Sequence, residues 1–194
     1  MSLFSGFTAN TPKHLQMDAG AFLRNYDVTK DTWETAKGTK LIGATSGGGS
    51  FSAVPTFRKV DIDGVKGDVK GMKHIDEWVV TMTANVKEIT AESLKLSLAA
   101  ADSASAAAPT GYTKITARNE IKDADYLDNL TWVGRLSGSD KPVLIVVKNA
   151  LATNGLTISF ADKTEGVIPV TITGHYAADD LETPPFDIYY PEIV

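Results

Sequence analysis

The residues best placed to do chemistry are a glycine run, a short acidic string and three histidines. Gly47-Gly48-Gly49 invites a phosphate-cradling loop, because glycine lets backbone N–H groups close around an anion. That chemistry needs Gly-Lys-Ser/Thr and a helix start next, and Ser50-Phe51-Ser52 follows instead. Asp61-Ile62-Asp63-Gly64 opens like a calcium loop. Its glycine stands at position 4 instead of 6, and Met72 occupies position 12, where a bidentate acid belongs. A hairpin turn at Asp63-Gly64 accounts for these residues fully. His14, His74 and His175 lack metal-ligand spacing; His74 and Asp76 could share a strand face, but a third ligand must come from elsewhere. No nucleophile elbow marks a serine. The acid pairs Asp76/Glu77 and Asp179/Asp180 point to opposite sides of an extended chain, so neither makes a carboxylate dyad. No catalytic, metal-ligating or cofactor-binding residue emerges, and the expectation is a protein that is not an enzyme and holds no cofactor.

The elements that would position any site are mostly strands. Trp78, Val80, Met82, Ala84 and Val86 fall on one face, and Thr81, Thr83, Asn85 and Lys87 on the other, with Val79 the exception. This period-2 pattern predicts a strand over 78–86, about 30 Å long, with a dry face and a wet face. Thr90 stands where an N-cap belongs and Glu92 in the first turn, so a helix is predicted over about 91–102. Its stripe is Ala91, Leu94, Leu98 and Ala101, with Leu94 and Leu98 as the packing residues and Leu96 free to make a second contact. The small-residue run 103–109 reads as a frayed end and linker.

Elsewhere, 1–14 reads as an irregular N-terminal arm, 14–26 as a strand or arm, and 31–37 as one helical turn. Residues 41–52 read as a flexible loop around the glycines, and 51–62 as an extended segment interrupted by Pro55. Asp63-Gly64 returns the chain through Val65, Gly67 and Val69. Strands are expected at 114–121, 130–136, 143–147 and 167–176, and another at Leu156, Ile158 and Phe160 after an Asn154-Gly155 turn. A short segment at 186–190 follows Pro184-Pro185. Many short strands joined by tight turns imply a mainly β chain, a β-sandwich or barrel with one packed helix, in a single domain over 1–194.

There is no cysteine, so disulfides and thiolate metal sites are excluded. No apolar stretch resembles a signal peptide or membrane span, and no membrane is expected as a partner. Of the net charge of −5, residues 164–194 hold −6, with six acids and no Lys or Arg, and the remainder +1. This acidic C-terminal arm, about 177–194, argues against phosphate binding there. It reads equally as a solvated surface or as an interaction segment.

Several segments, in order, resemble a known family. They are Asp18-Ala19-Gly20-Ala21-Phe22, Ile42-Gly43-Ala44-Thr45 leading into Gly47-Gly48-Gly49-Ser50-Phe51, and Trp78–Asn85 with its helix. Asn129-Leu130-Thr131-Trp132-Val133-Gly134, Glu165-Gly166-Val167-Ile168-Pro169-Val170-Thr171, Gly174-His175-Tyr176 and Pro185-Phe186-Asp187-Ile188-Tyr189-Tyr190-Pro191 continue the series. The chain is similar to the major tail tube proteins of long-tailed bacteriophages and prophages, over nearly its whole length. The resemblance implies a virion structural protein with a tail-tube-like fold that closes into hexameric rings and stacks them into a hollow tube. The tube assembles around a tape-measure protein, meets other tail proteins, and passes DNA through its lumen without specific binding or a small-molecule substrate. It implies residence in the virion tail after assembly in the bacterial host cytoplasm, and no catalytic residues.

Two placements follow as expectations. Leu41, Gly47, Gly48, Gly49 and Ser50 form a loop reaching an adjacent ring. Asp179, Asp180 and Glu182 meet basic residues of a neighbour, drawn from Arg58, Lys59, Lys66, Lys70 and Lys73. The alternative is a monomeric β-sandwich binding module for carbohydrate or receptor, although Trp33, Trp78 and Trp132 are dispersed along the chain; a small-molecule-binding barrel or enzyme ranks third.

Overall fold

The computed structural model describes residues 4–106 and 108–193. The outermost part of the expected N-terminal arm (1–3), position 107 of the small-residue run and the last residue of the acidic arm lie outside the described residues. The strands are β1 (Ala21–Arg24), β2 (Thr45–Lys59), β3 (Lys73–Val86), β4 (Ala101–Ala104), β5 (Lys114–Ala117), β6 (Leu127–Gly134), β7 (Val143–Ala152), β8 (Ile168–Thr173) and β9 (Phe186–Tyr189). Two α-helices, α1 (Trp33–Ala36) and α2 (Ala91–Ser97), complete a mainly β fold with one helix packed on its core.

Seven strands make one antiparallel sheet in the order β1-β6-β7-β8-β3-β2, with β9 added to β7; β4 and β5 form a separate pair. The alternation of β3 sets its register. Val80, Met82, Ala84 and Val86 are buried, and β8 brings Ile172, Val170 and Ile168 directly opposite the last three. Each such side chain taken out of water contributes roughly 1.5–3 kcal/mol. A one-residue slip would turn every one of them to solvent, so this register is strongly specified.

β7 holds the sheet together by changing partners. Residues 143–150 pair with β6 and 144–147 with β9, and then Leu151 and Ala152 pair with β8. The switch comes just after Asn149, whose φ is 45°. Its side-chain amide donates to the His175 carbonyl at 2.9 Å, and the His175 ring nitrogen Nδ1 lies 3.0 Å from the Asn149 carbonyl. The bend lets both stretches of the sheet share one core, in which Phe22 and Leu130 join Val80, Met82 and Ile172. A smaller cluster of Leu23, Tyr26 and Ala36 lies beside it.

Several elements differ from the sequence reading. The helix stops at Ser97, because Ala99 adopts φ 60° and Ala101–Ala104 turns into β4. Ser93 and Ser97 are its most buried residues, with hydroxyls satisfied by the Glu88 and Ser93 carbonyls; Leu94 and Leu96 reach the core, Leu98 is the half-buried C-cap, and Ala91 is exposed. Thr90 does cap the helix, in a reciprocal box with Ser93. The segment 156–160 forms no strand. The Asn154 amide takes the pairing positions instead, donating to the Pro169 carbonyl at 2.7 Å and accepting from Thr171 N–H at 2.9 Å. Asp63-Gly64 does sit in a turn, closed by Val65 N–H to the Ile62 carbonyl, but 65–69 is not a strand, and pairing resumes only at Lys73. Much of the expected acidic arm is docked. β9 lies on β7, Pro185 is fully buried, and the Phe186 ring packs 5.4 Å from Trp78 and 5.8 Å from Phe51.

Candidate functional site

The most distinctive surface is built by β2 and β3. β2 runs for 15 residues at the end of the sheet, so one side of its backbone has no strand partner among the described residues. From Thr45 to Phe57 it carries no charged residue. Proteins guard such edges with lysine, proline, bulges or short strands. Here the guards are Pro55, a register irregularity between Thr45 and Gly49 where Gly47 and Gly48 take φ of 74° and 73°, and the basic residues Arg58 and Lys59 at the far end.

Two faces flank that edge. On the side away from the core, Ser50, Ser52 and Val54 of β2 align with Thr83, Thr81 and Val79 of β3, and Thr171 and Thr173 of β8 continue the rows. None of these side chains is charged. Their hydroxyls satisfy one another: Ser50 Oγ lies 2.7 Å from Thr83 Oγ1, and Thr153 Oγ1 lies 2.8 Å from Thr173 Oγ1. Beyond the core, the two strands continue as an arm. A bulge at Asp76 realigns them so that Phe57 faces Ile75, and both stay at least half exposed (57% and 50%). Asp76 is fixed by Arg58 Nε at 3.0 Å.

Over 57–77 five Lys and Arg stand against five Asp and Glu, and much of this charge is internally matched. Lys73 Nζ lies 2.9 Å from Asp68, whose carboxyl its hydrogen bond holds below the usual carboxylate range, and Lys59 lies 3.6 Å from Asp61. Lys66 and Lys70 form no ion pair among the described residues and sit at the exposed tip. On the C-terminal side, Asp180 Oδ1 accepts from Thr183 N–H at 3.1 Å and Glu182 N–H at 3.3 Å, and the bonds to Thr183 depress its pKa first of all. Asp180 therefore closes its own turn, whereas Asp179 and Glu182 point into solvent without ion pairs among the described residues. Among the described residues no ion pair joins this segment to the arm.

The glycines expected in a loop lie inside β2. Leu41 bridges Leu23, Gly49 pairs with Ala84, and Ser50 pairs with Thr83. Gly49 is required by close packing: a Cβ there would stand 2.2 Å from the Thr83 carbonyl oxygen and 2.6 Å from Phe22 Cζ. The 41–52 segment is therefore sheet for most of its length, because Ser50-Phe51-Ser52-Ala53 extends the pairing back through the glycines. Phe57, Ile75 and the uncharged hydroxyl rows were missed by sequence reasoning. The signal was present in the absence of Lys, Arg, Asp and Glu over 45–57 and 79–85.

Concavities lie beside these elements. A polar cleft of about 470 Å³ lies between α2 and residues 37–43, where Arg24 Nη1 meets Glu92 Oε2 at 2.9 Å. An apolar groove of about 410 Å³ runs between β2 and the β1-β6-β7 stretch. Among the described residues no group of three or more His, Asp or Glu could hold a metal ion, and no helix is long and apolar enough to cross a membrane. His74 is exposed on the arm, His14 Nδ1 lies 3.0 Å from the Tyr190 hydroxyl, and His175 packs edge-on against Tyr126. No protein-family model matches the chain, and no curated protein matches it.

Proposed function

We propose that this chain is a self-assembling structural subunit, a major tail tube protein of a long-tailed phage or prophage, whose copies join edge to edge into hexameric rings that stack into a tube. The observation that carries this reading is β2: a 15-residue strand end of the sheet, uncharged over 45–57, flanked by an uncharged hydroxyl face. An edge of that length, guarded only by Pro55, the glycine irregularity and two cations at its far end, is an aggregation hazard for a free monomer and a joint for an assembling one. A heterologous contact repeated around an axis closes into a ring. In this reading the bent sheet is the wall of a β-sandwich or barrel, and the hydroxyl rows suit a passage for DNA, because they offer phosphates no cation to displace counterions. The tape-measure protein and other tail proteins are the further partners, in the virion tail after assembly in the bacterial cytoplasm.

Electron microscopy of the purified protein tests this directly. Rings or hollow tubes support the reading. A strictly monomeric species at high concentration that binds glycans on an array overturns it in favour of a β-sandwich binding module.

A further inference from the structure

Among the described residues the N-terminal segment leaves two large apolar side chains in solvent. Phe4 and Phe7 are exposed at 105% and 68%, and residues 4–12 carry no charge. The chain is fixed just after them. Thr8 and Thr11 close a turn through Thr11 N–H to the Thr8 carbonyl at 3.0 Å and Thr8 N–H to Thr11 Oγ1 at 2.8 Å. The strap is then fastened to 135–137: Ser137 Oγ donates to the Pro12 carbonyl, Ser137 N–H to the Leu15 carbonyl, and Met17 N–H to the Arg135 carbonyl. A side chain at Gly138 would strike Lys13, so the two segments are in tight contact. Residues 4–10, ahead of this anchorage, are all exposed.

Beside the strap lies the apolar groove of about 410 Å³, walled by Phe22, Phe51, Met82, Trp132, Val143 and Ile145 and rimmed by Gln16 and Tyr190. None of its lining residues is charged. Burying a phenylalanine removes about 150–250 Å² from water, and the groove's size falls within the range that holds compact apolar ligands. The groove therefore matches the segment in polarity and in size. The chain's own segment does not occupy its own groove: Phe4 and Phe7 are exposed and neither lines it. We infer that the groove receives Phe7, with Phe4 beside it, from the N-terminal segment of a second copy of this chain, so that the arm strap links neighbouring subunits. The choice of a second copy as occupant rests on the self-assembly reading; ring or tube geometry does not enter it.

The absence of cysteine makes the test clean. Two single-cysteine chains, Phe7→Cys and Val143→Cys, are mixed under assembly conditions and oxidised, and cross-linked peptides are identified by mass; Val143 lies in the groove wall. A 7–143 disulfide between chains is the expected result. No 7–143 link between chains, or a link that forms only within one molecule when both cysteines are placed in the same chain, overturns the inference. Phe4→Ala with Phe7→Ala supplies the second readout. The monomer's melting temperature should stay unchanged while the assembled fraction falls at least tenfold; unchanged assembly overturns the inference. Tubes without the 7–143 link refute the N-terminal contact alone, whereas linked pairs without rings refute the tube reading alone.

Discussion

At the scale of single residues, two interlocks decide how the chain is held. Trp132 Nε1 donates to the Ala19 carbonyl at 2.9 Å, and its ring lies over two glycines. A Cβ at Gly134 would stand 1.9 Å from the ring, and one at Gly20, whose φ is 74°, only 2.3 Å from Nε1. Gly134→Ala must therefore displace the indole and break its hydrogen bond, and it should destabilise by about 1–3 kcal/mol in urea titrations. The second interlock is Asp125, almost fully buried, which accepts from Arg118 Nη2 and from Lys122 N–H. Burial alone would raise its pKa; the Lys122 and Arg118 bonds outweigh that and hold it below the usual value. A carboxyl with a depressed folded pKa stabilises the fold above its unfolded value and loses that contribution as pH falls through the folded one. Asp31, Asp68, Glu165 and Asp180 are shifted the same way, chiefly by hydrogen bonds from Lys40, Lys73, Lys87 and Thr183. The thermal midpoint should hold above the ordinary carboxylate pKa of about 4 and fall below it, with a shallower fall in Asp125→Asn.

At the scale of elements, α2 and β2 behave oppositely. The short helix depends on its first turn, where Thr90 Oγ1 accepts from Ser93 N–H and Ser93 Oγ accepts from Thr90 N–H. Thr90→Ala should cost about 1 kcal/mol, seen as a lower urea midpoint with unchanged slope. β2 depends on having no side chain at one point. Gly49→Ala should unfold or strongly destabilise the protein, whereas Gly64→Ala, at an open turn with φ 82°, should cost only local strain. Trp78–Val86 was legible because its alternation holds, with Val79 the one exception, where one face is dry. Its extension to Lys73 was not, because His74, Asp76 and Glu77 lie beyond the core, where no burial imposes a period, and the Asp76 bulge breaks the repeat. The helix end was misread because alanine, normally a helix former, sits at Ala99 in a left-handed conformation. Leu156, Ile158 and Phe160 alternate without a strand to join; the first two still pack on the core while Phe160 projects into solvent. Of the surface, the acidic stretch was readable from composition, but its docking through β9 depends on Phe186 meeting Trp78, a contact distant in sequence.

At the scale of the whole molecule, the proposed assembly draws on charge as well as on the β2 edge. Lys66 and Lys70 are arm cations without ion pairs among the described residues, and Asp179 and Glu182 are exposed carboxylates of the C-terminal segment likewise without them. Lys66→Glu with Lys70→Glu should leave the melting temperature unchanged, since both side chains are exposed, and should lower the yield of assembled material. Raising ionic strength on the parent chain should weaken assembly in the same direction. Equal yield by light scattering in both tests would remove these residues from the joint.

The Asn154 amide has a consequence for how much foreign sequence this framework tolerates. By gripping Pro169 and Thr171 of β8 with one side chain, it ties down both ends of the 153–167 connection independently of what the chain does between them. Residues 160–165 are exposed, and loop closure entropy grows only slowly with length. A peptide spliced in at Asp162-Lys163 would hang from a closed clasp, so every copy in an assembly could display a cargo without reworking the sheet that carries it.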